Sequence, residues 1–212
     1  MAISANGTYI AVASNDYKVY LFHKDNSTPL WNYTAWESVD SVDISANGEY
    51  IVAGSNDERV YLFHKNNNTP LWSYRTTSDV QSVAISDDGE YIMARTLSTV
   101  KLFLFHKSSS TPLWIFDADG NVDSVSISAD GKYIVGGGSS QKVYLFDRDS
   151  NTPLWSYDTD AGTVRSVSIS ADGEYIVAGT NTDSASDYNL YFFDKDSSAP
   201  SWRYRVGDSN WE

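Results

Sequence analysis

The residues able to do chemistry in this sequence recur at regular intervals. His23, His64 and His106 each sit inside Leu-Phe-His-Lys, and Asp147 and Asp194 fill the same slot further along. Zinc ligands lie about 2 Å from their metal, whereas packed sheets stand about 10 Å apart. Histidines carried on separate repeats do not meet, so the slot reads as a strand end or turn. Asp147-Arg-Asp149-Ser-Asn151 resembles the first half of an acidic calcium loop, and Asp117-Ala-Asp119-Gly-Asn121 does so more weakly. Neither has the distal bidentate Glu, and Asp, Asn and Ser serve turns equally well. No metal and no cofactor is expected.

A second set stands in VDS, VQS, VDS and VRS, which put Asp40, Gln81, Asp123 and Arg165 at one equivalent position. Asp43 is a further, unshared acid two residues inside strand SVDIS. Paired acids with a base nearby suit a cationic or hydroxyl-rich ligand. The alternative is an ion pair of Arg165 with an Asp, lining a wet channel. Glycoside hydrolysis needs two carboxyls roughly 5–10 Å apart. Asp40, Asp43 and Asp123 are the only acids placed for it, and no Glu joins them.

The third set is aromatic. Trp31, Trp72, Trp114, Trp155 and Trp202 each close a Thr-Pro-Leu-Trp or Ala-Pro-Ser-Trp segment. A Trp repeated at one position is expected to pack, with its indole N–H bonded to a neighbour. Trp36, in TAWESVD, has no counterpart, and neither has Trp211. Each is either an exposed group on which a ligand stacks or a plug against an adjacent unit. Arg95 replaces Ala13, Gly54, Gly137 and Gly179, and a long base at a small-residue site is expected to reach for solvent.

These residues are positioned by a repeat. SANGTYIAVA at 4–13 returns as SANGEYIVAG at 45–54, SDDGEYIMAR at 86–95, SADGKYIVGG at 128–137 and SADGEYIVAG at 170–179. The 212 residues divide into five units, about 1–38, 39–79, 80–121, 122–163 and 164–212, forming one domain. Each unit holds four apolar runs, A to D. In the second they are SVDIS (41–45), YIVAG (50–54), VYLFH (60–64) and LWSY (71–74). Asn-Gly or Asp-Gly joins A to B, a hairpin turn in which Gly supplies positive φ. All five prolines precede strand D, where the missing N–H is tolerated on an outer edge. Val60 and Leu62 face one way, Tyr61 and Phe63 the other, so both faces of each sheet need cover. Identical sheets with two apolar faces stack radially. The expected fold is an all-β, five-bladed β-propeller with four antiparallel strands per blade and the slender strand A nearest the axis.

Composition narrows the partners. A net charge of −13 opposes nucleic acid and anionic membrane. No apolar run reaches the 18 or so residues of a membrane helix, so no membrane insertion is expected. With no Cys there is no disulfide or thiolate site. Met1 leads into AISANGTYIAV with no charged segment or cleavage site, so no signal peptide is read here. Met1 also falls where Val42 sits in the second repeat, as expected of a chain cut from a longer propeller. The Ser-, Asn-, Thr- and Tyr-rich surface suits an exported prokaryotic cell-surface protein.

SVSISADGEYIVAG followed by VYLFD resembles the WD-repeat pattern, with Phe146-Asp147 and Phe193-Asp194 where that family has Trp-Asp. VYLFDRDSNTPLWSYDT resembles the quinoprotein-type (PQQ-like) repeat, whose docking Trp matches Trp31, Trp72, Trp114, Trp155 and Trp202. The resemblance covers the whole chain and implies a propeller. Pro29, Pro70, Pro112, Pro153 and Pro200 replace that family's Gly, and the Gly-His dipeptide of WD repeats is absent.

Among the loops, the A–B turns are nearly identical, while the D–A and B–C loops differ from blade to blade. In a propeller those two sets share one rim, and binding residues ride on variable loops held by a rigid scaffold. The expectation is a non-catalytic binding scaffold using this rim and the channel mouth, through Asp40, Asp43, Gln81, Asp123, Arg165, Trp36 and Arg95. The partner is a protein or, alternatively, a glycan bound by a lectin; a glycosidase-type enzyme is the lesser reading. The chain is a monomer if five blades close, otherwise a homo-oligomer.

Overall fold

The computed structural model describes residues 1–98, 101–159, 162–181 and 190–205. They form twenty strands and, among the described residues, no helix. Blade 1 is β1 (Ala2–Ile3), β2 (Tyr9–Ala13), β3 (Lys18–His23) and β4 (Trp31–Thr34). Blade 2 is β5 (Val39–Ile44), β6 (Tyr50–Ser55), β7 (Arg59–His64) and β8 (Trp72–Arg75). Blade 3 is β9 (Val80–Ile85), β10 (Tyr91–Thr96), β11 (Lys101–His106) and β12 (Trp114–Asp117). Blade 4 is β13 (Val122–Ile127), β14 (Tyr133–Gly138), β15 (Lys142–Asp147) and β16 (Trp155–Asp158). Blade 5 is β17 (Thr163–Ile169), β18 (Tyr175–Asn181), β19 (Leu190–Asp194) and β20 (Trp202–Tyr204). Each blade is one antiparallel sheet whose strands pair in chain order. These are the five four-stranded blades of the expected β-propeller.

Local chemistry makes each blade. Gly48 closes the β5–β6 hairpin at φ +72, the left-handed region that a Cβ makes costly. The turn is tied by Gly48 N–H to Ser45 O at 2.8 Å, and the Asn47 carboxamide oxygen accepts the Glu49 N–H at 2.9 Å. The same Ser-x-Asn/Asp-Gly arrangement holds all five A–B turns, with Gly7, Gly89, Gly131 and Gly173 at φ +66 to +76.

Alternation then assigns the faces. Tyr61 and Phe63 of blade 2 pack with Ala11, Val19 and Leu21 of blade 1. Val60 and Leu62, on the opposite face, pack with Val80, Ile92, Phe103 and Phe105 of blade 3. Four such apolar layers join the five blades, and each is fully buried at its centre. A leading face thus carries Tyr/Phe and Ile, and a trailing face carries Val/Leu, Tyr and the docking Trp.

Blades also join by hydrogen bonds. Ala5 N–H donates to Ala46 O, Ala46 to Asp87 O, Asp87 to Ala129 O and Ala129 to Ala171 O, each at 3.0 Å. Among the described residues this series has no fifth member from blade 5 back to blade 1.

Candidate functional site

The four equivalent residues picked out from VDS, VQS, VDS and VRS share an unusual backbone position. In blade 2, Val39 pairs with Ser55 and Ser41 with Gly54, so Asp40 is the extra residue of a β-bulge. The same shift singles out Gln81 in blade 3, Asp123 in blade 4 and Arg165 in blade 5. A bulge bends the strand and re-aims its extra side chain, and bulges gather beside functional sites. The sequence pattern therefore marks a backbone irregularity repeated on the inner strand of four blades.

Three of these residues are linked. The Arg165 Nη1 donates to Asp123 Oδ2 at 3.2 Å across blades 5 and 4. Arg95 Nη2 reaches the Asp123 carbonyl at 3.3 Å and Gln81 Oε1 at 3.4 Å. Asp40 stands exposed on blade 2, outside this set of contacts. Arg95 does not extend to solvent as its residue type suggests: it is only 7% exposed. Burial lowers its pKa, and the nearby Asp123 charge works against that shift. Its Nε and Nη1 have no hydrogen-bond partner among the described residues. A guanidinium with two idle donors beside a bulge suits an anionic or carbonyl-bearing group.

Asp43 behaves differently. Its two oxygens accept the Ile44 N–H at 2.8 Å and, across the blade boundary, the Ile85 N–H at 3.0 Å. Burial raises its pKa, and the two backbone hydrogen bonds oppose the rise. The carboxyl is engaged in stitching blade 2 to blade 3.

On the variable rim, Trp36, Glu37, Asn56, Asp57, Glu58 and Arg75 line a cavity of about 410 Å³. The D–A loop supplies Trp36 and Glu37, and the B–C loop supplies Asn56, Asp57 and Glu58. The loops are fastened by Asn56 N–H to Ser38 O at 2.9 Å and Trp36 N–H to Asp57 Oδ2 at 3.1 Å. That same Oδ2 accepts the Tyr61 hydroxyl at 2.5 Å, and burial together with this bond raises the Tyr61 pKa. Asp57 Oδ1 and Asn56 Oδ1 are buried without a partner among the described residues. Arg75 spends Nε and Nη2 on Glu58 Oε2, at 3.0 and 2.9 Å. Glu58 sits at φ +64, as Tyr17 and Gln141 do at the equivalent B–C turns of blades 1 and 4, at φ +73 and +61, so the left-handed residue belongs to the repeat. The Glu58 carbonyl accepts both the N–H and the hydroxyl of Thr76, at 2.8 and 2.9 Å. Trp36 is 82% exposed, which settles it as a surface group rather than a plug. Three acids face one paired base beside an open indole. Of the residues lining this cavity, the sequence singles out Trp36 and passes over Asn56, Asp57, Glu58 and Arg75. The available signal was Ser-Asn-Asp four residues before a strand-C Tyr, repeated as Asp16–Tyr20 and Asp57–Tyr61.

The remaining motifs take structural places. His23, His64 and His106 lie edge-on to Tyr9, Tyr50 and Tyr91 of their own blades, at 5.4–5.7 Å between ring centres. Asp147 Oδ1 accepts the Asp149 N–H at 3.0 Å, and Asn151 donates to Ile115 O at 3.1 Å, so this segment is a turn. Among the described residues, no three His, Cys, Asp or Glu side chains stand together as metal ligands. Trp31, Trp72, Trp114 and Trp155 donate their indole N–H to Lys65, Lys107, Arg148 and Lys195 O of the next blade, at 2.7–2.8 Å. Trp211 lies outside the described residues.

Fold and repeat together define a propeller of the WD and PQQ-like type. Residues 104–211 match the family model described as outer membrane protein assembly factor BamB. Residues 27–64 match the WD domain, G-beta repeat. The first match spans half of the chain, and the chain belongs to that PQQ-type repeat family. No curated protein matches it.

Proposed function

We propose that this protein is a non-catalytic binding scaffold whose ligand is read by the variable rim, with the Trp36 cavity as the principal contact. The observation that carries this reading is the pair of buried, unpartnered acceptors, Asp57 Oδ1 and Asn56 Oδ1, in an acidic cavity beside an exposed indole. An unsatisfied buried acceptor costs about 1–3 kcal/mol, which a donor-bearing ligand recovers. A cation over an indole face adds about 0.5–2 kcal/mol. Lys or Arg side chains of a partner protein supply both, so the favoured ligand is a basic protein segment. A glycan is the second reading, supported by the same open indole with acceptors beside it.

The inner bulges extend the surface. Arg95, whose Nε and Nη1 are without a partner among the described residues beside the Arg165–Asp123 pair, offers donors suited to an acidic or carbonyl group of the same partner. The family description supports a place in the bacterial envelope, in keeping with an exported surface protein.

The test is calorimetric titration of an arginine-rich peptide, run beside a glycan array, on the wild type and on Trp36→Ala. Peptide binding should weaken about tenfold in Trp36→Ala with the circular dichroism spectrum unchanged. Binding that ignores the substitution would remove Trp36 from the site. Array signals lost with Trp36, without peptide binding, would favour the glycan.

A further inference from the structure

Two blade faces have the composition of buried interfaces and, among the described residues, no blade against them. The leading face of blade 1 presents Ile3, Ile10, Val12, Tyr20 and Phe22, at the positions of Ile44, Ile51, Ala53, Tyr61 and Phe63 in blade 2. Ile44 is 6% exposed, but Ile3 is 61% exposed. The trailing face of blade 5 presents Tyr175, Val177, Phe192, Trp202 and Tyr204. Trp202 and Tyr204 are 47% and 62% exposed, and Phe192 and Trp202 stack on one another at 5.1 Å.

The internal joints show what each face is built to meet. Every docking Trp from blades 1 to 4 bonds the carbonyl after the strand-C end of the next blade. Trp202 has no such acceptor among the described residues, and the matching carbonyl of blade 1 belongs to Lys24. Tyr9, Tyr50, Tyr91 and Tyr133 each lie against the turn glycine of the next blade, so close that a Cβ on Gly48, Gly89, Gly131 or Gly173 would stand 2.4–2.7 Å away. Among the described residues Tyr175 has no such glycine against it. Gly7 is without its tyrosine, its nearest such neighbour being Ile3 at 4.0 Å. Lys65, Lys107 and Arg148 lie over the rings of Tyr9, Tyr50 and Tyr91 at 4.7–5.2 Å. Lys24 is the blade 1 counterpart, and Tyr175 is the ring it would cover. Ala171 N–H and Ala5 O are the missing fifth pair of the turn series.

We infer that the trailing face of blade 5 docks on the leading face of blade 1 of a second copy of this chain, continuing the interblade joint from one molecule to the next. Trp202 Nε1 donates to the partner's Lys24 O, Tyr175 packs on the partner's Gly7, and Ala171 N–H donates to the partner's Ala5 O. The contact joins unlike faces, so each copy offers one of each, and the assembly is a ring or a filament according to the turn per joint.

Analytical ultracentrifugation across micromolar concentrations tests this. The wild type should sediment above the 23.6 kDa chain mass. Ile3→Arg and Trp202→Arg should each weaken self-association at least tenfold without changing the circular dichroism spectrum. Mixed together, each variant keeps the face that the other has lost, so the mixture should give a species of twice the chain mass. A 23.6 kDa wild-type monomer at every concentration, whether its own two faces meet or stay bare, overturns the inference. So does an assembly that survives both substitutions, or a mixture that stays monomeric.

Discussion

Residue by residue, the docking tryptophans are a series with an internal control. Trp114 is 9% exposed, lies tilted against Phe146 at 5.5 Å between ring centres and bonds Arg148 O at 2.7 Å. Trp114→Phe removes that bond and leaves a carbonyl unmet, so it should lower unfolding stability by about 1–3 kcal/mol in urea titration. Trp202→Phe, with no such acceptor among the described residues, should stay within about 0.5 kcal/mol at dilutions where the chain is single. Equal losses at both positions would mean that the indole bond contributes little. The docking role was legible because the repeat makes Trp a pattern, and patterned aromatics pack. The burial of Arg95 was not legible, because its neighbours at that slot are Gly and Ala, and only the Asp123 carbonyl and Gln81 across the strands explain where its head goes. Asp57 was missed for a related reason. Its role depends on a hydroxyl from Tyr61 and an N–H from Trp36, and a one-dimensional reading does not bring these together.

At the scale of the element, strands and hairpins followed from alternation and from Gly at the turn, whereas the bulges did not. A bulge leaves the side-chain pattern on both sides intact and shows only in strand register. It took the pairing of Val122 with Gly138 and Ser124 with Gly137 to expose Asp123 as the extra residue. Turn geometry and interblade contact can be separated by paired substitutions. Gly7→Ala meets only the backbone penalty of φ +69, on the order of 1 kcal/mol. Gly48→Ala adds a Cβ 2.6 Å from the Tyr9 ring, so it should be the more destabilising of the two in thermal unfolding of the dilute chain. If the two variants melted alike, the tyrosine contact would be yielding rather than fixed.

For the whole molecule, the charge balance sets the response to acid. Tyr20, Lys24, Lys65 and Ser170 hydrogen-bond the carboxyls of Asp16, Asp25, Glu49 and Asp172 and hold them below their ordinary values of 3.8 for Asp and 4.5 for Glu. A group with a lowered folded pKa contributes stability above its unfolded value and loses it as pH falls through the folded one. Asp43 has the opposite sign: its burial-raised pKa means that its contribution is lost as pH rises and regained on acidification. The urea midpoint should therefore fall below about pH 4. The fall should be steeper in Asp43→Asn, which lacks the opposing group. A midpoint unchanged down to pH 3 would show that these surface pairs have no net weight.

The direction of the indole bond has a consequence for synthesis on the ribosome. Each donor precedes its acceptor, by 34 residues for Trp31, 35 for Trp72, 34 for Trp114 and 40 for Trp155. A blade that has just emerged holds its own four strands but lacks the carbonyl its Trp requires until strand C of its successor is out. Folding during translation therefore runs one blade behind the emerging chain, and at every stage the youngest complete blade is the one not yet latched.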